Sequence, residues 1–79
     1  MAKKQIVCRR LKGLMAENDL TIRELSKKTG ISEKTLSLKI RGRRKWWIHE
    51  LFLVTRQLGF AEIRKVFPEI FKDVLDRVG

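Results

Sequence analysis

The chain contains 79 residues, of which 43% are hydrophobic and 35% are charged, and its formal net charge is +10. This composition predicts one globular domain over residues 1–79 and excludes a disordered chain, while a lone cysteine excludes an internal disulfide and is typical of an intracellular protein. No stretch approaches the roughly 18 apolar residues of a membrane span, and the N-terminus lacks the apolar region of a signal peptide, so we expect a cytoplasmic protein with no membrane partner.

The spacing of apolar residues is helical nearly throughout, which predicts an all-α fold of five or six helices. The first helix is predicted from Lys4 to Glu17. Its inward face is formed by Val7, Leu11, Leu14 and Met15. No strand signal is present anywhere in the sequence.

The next two helices are short and are separated by a single glycine. Thr21 and Glu24 have the spacing of a capping box, which predicts the start of the second helix, and Gly30 suits the left-handed conformation that ends it. Ser32 is the predicted cap of the third helix, and Gly42 ends that helix. This arrangement predicts a helix-turn-helix unit over residues 21–41. An ordinary αα corner in a small bundle is the alternative.

The third helix turns Leu36 and Ile40 toward the core, and a fourth helix is predicted over residues 48–58. An apolar stripe then crosses Pro68. Because proline is tolerated in the first turn of a helix and disruptive within one, we expect a short helix ending near Phe67 and a new one starting at Pro68. A single kinked helix is the alternative.

Positive charge is concentrated around the helix-turn-helix unit. Residues 1–45 contain 14 Lys or Arg and 4 Asp or Glu, whereas residues 46–79 contain 5 of each. Solubility alone would not require this segregation, which favours a polyanionic partner, either nucleic acid or an anionic membrane. One His, one Cys and no glycine-rich phosphate loop predict no enzyme, no metal and no cofactor.

The sequence TIRELSKKTGIS, followed by TLS and then Gly42, resembles the Cro and phage-repressor (XRE-like) family of helix-turn-helix domains. The resemblance covers about residues 11–59, and it implies the lambda-repressor-like fold. In that family the third helix enters the major groove and the flanking residues contact phosphates. It therefore implies double-stranded DNA as the partner.

The resemblance implies two sets of DNA-binding residues. The base-contacting set lies on the outward face of the third helix and consists of Glu33, Lys34, Ser37, Leu38 and Arg41, the last of which can reach a base or a phosphate. The phosphate-contacting set consists of Thr21, Arg23, Ser32, Arg43, Arg44 and Lys45.

Each base-contacting side chain has suitable chemistry and a simpler alternative. Lys34 can donate to guanine, Glu33 can accept from cytosine N4, and Leu38 can pack on a thymine methyl group. Alternatively, Glu33 only stabilises the helix dipole, Lys34 is a solvated surface residue, and Leu38 joins the core or a protein interface.

Two positions depart from the family pattern. Ile22 stands where relatives commonly have a glutamine that braces a base contact, so specificity here depends more on the third helix. Trp47 stands where relatives have a Ser or Thr cap, and it has no acceptor, although Glu50 keeps half of a capping box. Trp46 is predicted in the core and Cys8 as a small hydrophobic residue, whereas packing, a dimer contact and a DNA contact stay open for Trp47.

The family resemblance implies a transcriptional regulator of phage or prophage origin that represses by occupying an operator in the nucleoid of a bacterial host. We expect a homodimer, with residues 60–79 as a candidate interface, and no small-molecule ligand; alternatively, the apolar stripe of this segment packs on the first and fourth helices. The alternative is an antitoxin or adaptor that mainly binds a partner protein through its C-terminal helix and Trp47. RNA binding is less favoured, because the aromatic platforms of common RNA modules are absent.

Overall fold

The computed structural model describes residues 6–72, and this part of the chain is helical with no strand. The helices are α1 (Arg9–Glu17), α2 (Ile22–Thr29), α3 (Glu33–Ile40), α4 (Ile48–Gln57) and α5 (Ile63–Val66), and residues 68–72 are helical again. The all-α prediction is confirmed. None of the described helices combines the length and apolarity needed to cross a membrane.

The predicted start of α1 is wrong, because residues 6–8 are not helical and the helix begins at Arg9. The backbone N–H of Cys8 instead donates to the Ile40 carbonyl oxygen at 2.9 Å. A Cβ at Gly42 would lie 2.6 Å from the carbonyl oxygen of Ile6, so only glycine admits this approach. A tertiary contact with the end of α3 therefore replaces the first helical turn that the apolar spacing predicted; Lys4 lies outside the described residues.

The predicted caps of α2 and α3 are confirmed. Thr21 Oγ1 accepts the N–H of Glu24 at 3.1 Å, and the N–H of Thr21 donates to Glu24 Oε1 at 3.3 Å, which completes the capping box. Gly30 ends α2 in the left-handed conformation at φ +80°. Ser32 Oγ accepts the N–H of Thr35 at 3.2 Å and so starts α3.

All five helices contribute to one buried cluster. Its members are Cys8, Leu11, Leu14, Met15, Leu25, Leu36, Ile40, Leu51, Val54, Val66 and Phe67. Trp46 packs against this cluster, as predicted, and its ring meets that of Phe67 edge-on with the centroids 5.0 Å apart. This contact attaches the segment between α3 and α4 to the C-terminal part of the chain.

Cys8 behaves as a small hydrophobic residue, as predicted. It is fully buried, and this burial raises the pKa of its thiol to about 11, with the Glu69 carboxylate adding to the rise. The indole N–H of Trp46 makes no hydrogen bond to a described residue, but its partial positive charge offsets part of the shift. The thiol is therefore protonated at neutral pH and contributes packing.

The C-terminal apolar stripe breaks at Phe67, and a new helix starts at Pro68, which confirms two separate helices. Val66 and Phe67 are fully buried, and Ile63 and Ile70 are partly buried against the cluster, whereas Phe71 is 44% exposed. Most of the described stripe therefore completes the core of the monomer. The rest of the predicted stripe, Val74, Leu75 and Val78, lies outside the described residues.

Candidate nucleic-acid interface

The helix-turn-helix unit is built around two buried leucines. Leu25 of α2 and Leu36 of α3 are both fully buried in the common cluster. Between the helices, the left-handed Gly30 and the cap Ser32 leave only a short turn, and Ile31 packs its side chain against the cluster. The packing of the leucines and the tightness of the turn fix α3 relative to α2.

One face of α3 is open to solvent. At 3.6 residues per turn, the five predicted base-contacting residues span about 140° of the helix. Glu33, Lys34 and Arg41 are exposed, and Ser37 and Leu38 are partly buried. Leu38 therefore lies outside the buried cluster.

The opposite face of α3 is covered by protein. Leu36, Lys39 and Ile40 are each at most 4% exposed. No predicted base-contacting residue shares this covered face, so the structure brings all five together on the other side of α3.

A basic turn, defined here as residues 41–45, follows α3 directly. Gly42 has φ +82°, and the N–H of Arg43 donates to the Leu38 carbonyl oxygen at 2.9 Å, which closes the helix. Arg43, Arg44 and Lys45 are exposed, and none of them forms an ion pair with a described residue. Three exposed cations thus follow the C-terminal end of α3, available to phosphate.

The other predicted phosphate-contacting residues lie at helix starts. Thr21, Arg23 and Ser32 are exposed, but both hydroxyl groups are already used within the protein: Thr21 Oγ1 donates to Glu24 Oε1 at 3.0 Å and Ser32 Oγ donates to Thr35 Oγ1 at 2.8 Å. The first amides of an α-helix have no intrahelical acceptor. The groups at these two positions best able to bind a phosphate are therefore the backbone N–H groups that follow each cap.

A buried ion pair was missed by sequence reasoning. Lys39 Nζ donates to Glu50 Oε1, and both residues are buried. The same Glu50 oxygen accepts the N–H of Trp47 at 2.8 Å, so the predicted half of a capping box is present at α4. Lys39 Nζ also lies 5.9 Å from the centroid of the Trp46 ring.

The sequence contained a signal for this pair. Lys39 falls between Leu36 and Ile40 on the inward face of α3, where a lysine requires a buried acceptor. Burial raises the pKa of Glu50, but the hydrogen bonds from Lys39 and the Trp47 amide, together with the charges of Lys39 and His49, outweigh it and hold the pKa below its ordinary value. Glu50 is therefore ionised at neutral pH.

α3 faces solvent, a glycine turn fixes it against α2, and exposed cations follow it. This arrangement defines the class of helix-turn-helix DNA-binding proteins. Residues 10–51 match the family model of the Cro/C1-type HTH DNA-binding domain, which is more than half of the chain. The chain therefore belongs to this family and is a DNA-binding regulatory protein, as the resemblance implied. Comparisons with curated proteins and with solved structures gave no match.

Proposed function

We propose that this protein is a sequence-specific, Cro-like repressor that occupies an operator in double-stranded DNA. The observation that best supports this proposal is the open face of α3, where three exposed and two partly buried side chains of varied chemistry are followed by the exposed cations of the basic turn. A face of this kind fits the major groove, which admits one α-helix.

In this proposal the outward face of α3 selects the sequence. Lys34 and Arg41 donate to guanine O6 or N7, Glu33 accepts from cytosine N4, and Leu38 packs on a thymine methyl group. Ser37 bonds to either kind of base edge. The residues of the first turn lie where the recognition helices of this motif approach the bases most closely.

The phosphate-contacting residues supply most of the affinity. Arg23, Arg43, Arg44 and Lys45 place positive charge beside the strands, and the helix starts at Thr21 and Ser32 add backbone N–H donors. Each neutralised phosphate releases counterions, so binding weakens steeply as salt rises.

We further propose that the protein acts as a homodimer. Among the described residues, the large hydrophobic side chains that are exposed are Trp47, Ile48, Phe52, Leu53 and Phe71. All lie in residues 46–79, where acidic and basic residues balance, so two copies meeting there keep their basic halves apart. Phe71 belongs to the segment 60–79 that the sequence pointed to, and α4 extends this proposed interface. Two-fold symmetry would place the recognition helices roughly 34 Å apart.

The biological setting completes the proposal: a regulator of phage or prophage origin, acting on the nucleoid in the bacterial cytoplasm without a small-molecule ligand. Control then comes through concentration, dimerisation and competition for sites.

Selection of bound sites from a random duplex pool tests this function. We expect one enriched, two-fold symmetric motif, and a gel shift on that duplex at a protein concentration roughly a thousandfold or more below that needed for random duplex at the same salt. Equal affinity for every duplex at two salt concentrations would contradict sequence-specific repression.

A second candidate function is an antitoxin or adaptor that holds a partner protein. The observation that favours it is the adjacent pair Trp47 and Ile48, which are 68% and 63% exposed at the start of α4. A stable partner that co-purifies with the wild-type chain and is lost from W47A/I48A, in a protein without preference among duplexes, would support this function over repression.

A further inference from the structure

We infer that Lys39 and Glu50 are positioning residues for DNA recognition: their buried ion pair holds the base-contacting face of α3 in a fixed relation to the basic turn and to the start of α4. This inference rests on the proposed function, because it assumes that α3 contacts bases.

Lys39 differs from every other Lys and Arg among residues 6–45. Each remaining Lys and Arg among residues 6–45 is exposed, whereas Lys39 is 4% exposed. Its partner Glu50 is 7% exposed. Neither side chain can reach DNA from this position, so an effect of the pair on recognition must act through other residues.

One oxygen atom joins the two helices. Glu50 Oε1 accepts from Lys39 in the last turn of α3 and from the N–H of Trp47 at the start of α4. The basic turn, residues 41–45, runs between these two attachment points. Fixing both ends of so short a segment restricts where Arg43 and Arg44 can lie relative to Lys34.

The last turn of α3 is held from a second side as well. The N–H of Cys8 donates to Ile40, and the backbone of Ile6 lies against Gly42. These contacts prevent α3 from moving in one direction, and the ion pair ties it to α4 in another. Trp46 lies beside Lys39 Nζ and limits the space into which that ammonium group can move.

Stability alone is a poor reason for such a pair. Replacing a buried ion pair with apolar residues of similar volume is often neutral or stabilising, because removing two charges from water costs about as much as their attraction returns. Unlike apolar contacts, which tolerate small shifts, a hydrogen-bonded ion pair weakens when its donor–acceptor distance or angle changes. The property that it adds here is orientation.

The double variant K39M/E50Q tests the orientation of α3 separately from the electrostatic attraction of the protein to DNA. It removes one positive and one negative charge, so the net charge stays +10. The glutamine introduced by E50Q keeps an oxygen to accept the N–H of Trp47, and the methionine introduced by K39M keeps most of the length of the lysine stem. The matched control is R64M/E62Q, which removes the exposed pair between Arg64 and Glu62, also without a change in net charge.

The readout is the ratio of affinities for the selected duplex and for random duplex, measured at fixed salt on variants whose melting curves show that they are folded. We expect K39M/E50Q to lower this ratio roughly tenfold, about the cost of one mismatched base pair, with random-duplex affinity and salt slope unchanged. R64M/E62Q should keep the wild-type ratio.

A folded K39M/E50Q with the wild-type ratio would overturn the inference and leave the proposed function intact. If that variant does not fold, K39M/E50M takes its place, since replacing a buried ion pair with apolar residues of similar volume is often neutral or stabilising; a loss of the ratio supports the inference, and no loss overturns it. Wild-type protein without preference for any duplex would overturn the proposed function itself, and with it this inference.

Discussion

The two halves of this small protein present different surfaces. From residue 6 to residue 45 the exposed side chains include every Lys and Arg except Lys39, whereas the described large hydrophobic residues that are exposed begin at Trp47. The division follows the chain: α1 to α3 and the basic turn form one half, and α4 onward forms the other. The difference teaches that the cationic and the apolar parts of the described surface are separate, so each can be altered without the other.

Within the C-terminal half, two phenylalanines four residues apart have opposite environments. Phe67 is fully buried against Trp46, whereas Phe71 is exposed. We expect F67A to lower the free energy of unfolding by about 3–5 kcal/mol, because it leaves a cavity in the core. Urea unfolding followed by tryptophan fluorescence measures this loss.

F71A is the matched control for that substitution. We expect it to change monomer stability by less than about 1 kcal/mol and to weaken dimer formation in sedimentation equilibrium. Similar losses of stability for both variants would show that the C-terminal helix serves only the core.

Lys34 lies on the open face of α3 and tests the DNA-binding half. K34A should cost about 1–3 kcal/mol on the selected duplex and relax the preference at one base pair. K65A removes the same charge from the other half and should leave that preference intact. Quantitative gel shifts on single-base variants of the duplex distinguish these results; an unchanged preference in K34A would remove Lys34 from the base-contacting set.

Arg44 in the basic turn should contribute equally to the binding of every DNA sequence. We expect R44A to weaken binding to selected and random duplexes by the same factor and to reduce the slope of log affinity against log salt by about 1. R56A removes an exposed arginine of α4 and should leave the slope nearly unchanged. If R56A changes the slope as much as R44A does, the division of the surface into two halves is wrong.

Glu50 lies at the boundary between the halves, and its ionisation should have a smaller, pH-dependent effect on the free energy of unfolding. Its folded pKa lies below the ordinary value of 4.5, so the unfolded chain binds more protons in acid. The stability from the Lys39–Glu50 pair is therefore complete above pH 4.5 and is lost as the pH falls through the lower folded value. Urea unfolding at about pH 6 and about pH 3 should show a larger loss for wild type than for E50Q; equal losses would contradict the shift.

Much of the fold could be predicted from the sequence, because its determinants are local. Thr21, Gly30 and Ser32 mark helix ends through bonds to neighbouring residues, and Pro68 marks the start of a new helix. The start of α1 could not be predicted in this way, since it depends on a hydrogen bond between Cys8 and Ile40, two residues that are far apart in sequence.

The candidate site likewise has a part that local sequence patterns predict and a part that they do not. The outward face of α3 follows from helical periodicity, so Lys34 and Arg41 could be placed on the same side of the helix. The bond between Lys39 and Glu50 depends on how α4 packs beside α3, which no local pattern specifies. An inward lysine predicts only that some acceptor exists.

The most direct test of the central claim is an amide chemical-shift map of the wild-type chain titrated with its selected duplex. We predict that the largest shifts fall on the first turn of α2 and on residues 32–45, with little change on the outward face of α4 around Phe52. The largest shifts on Trp47, Ile48 and Phe52, with α3 unperturbed, would contradict DNA recognition by α3.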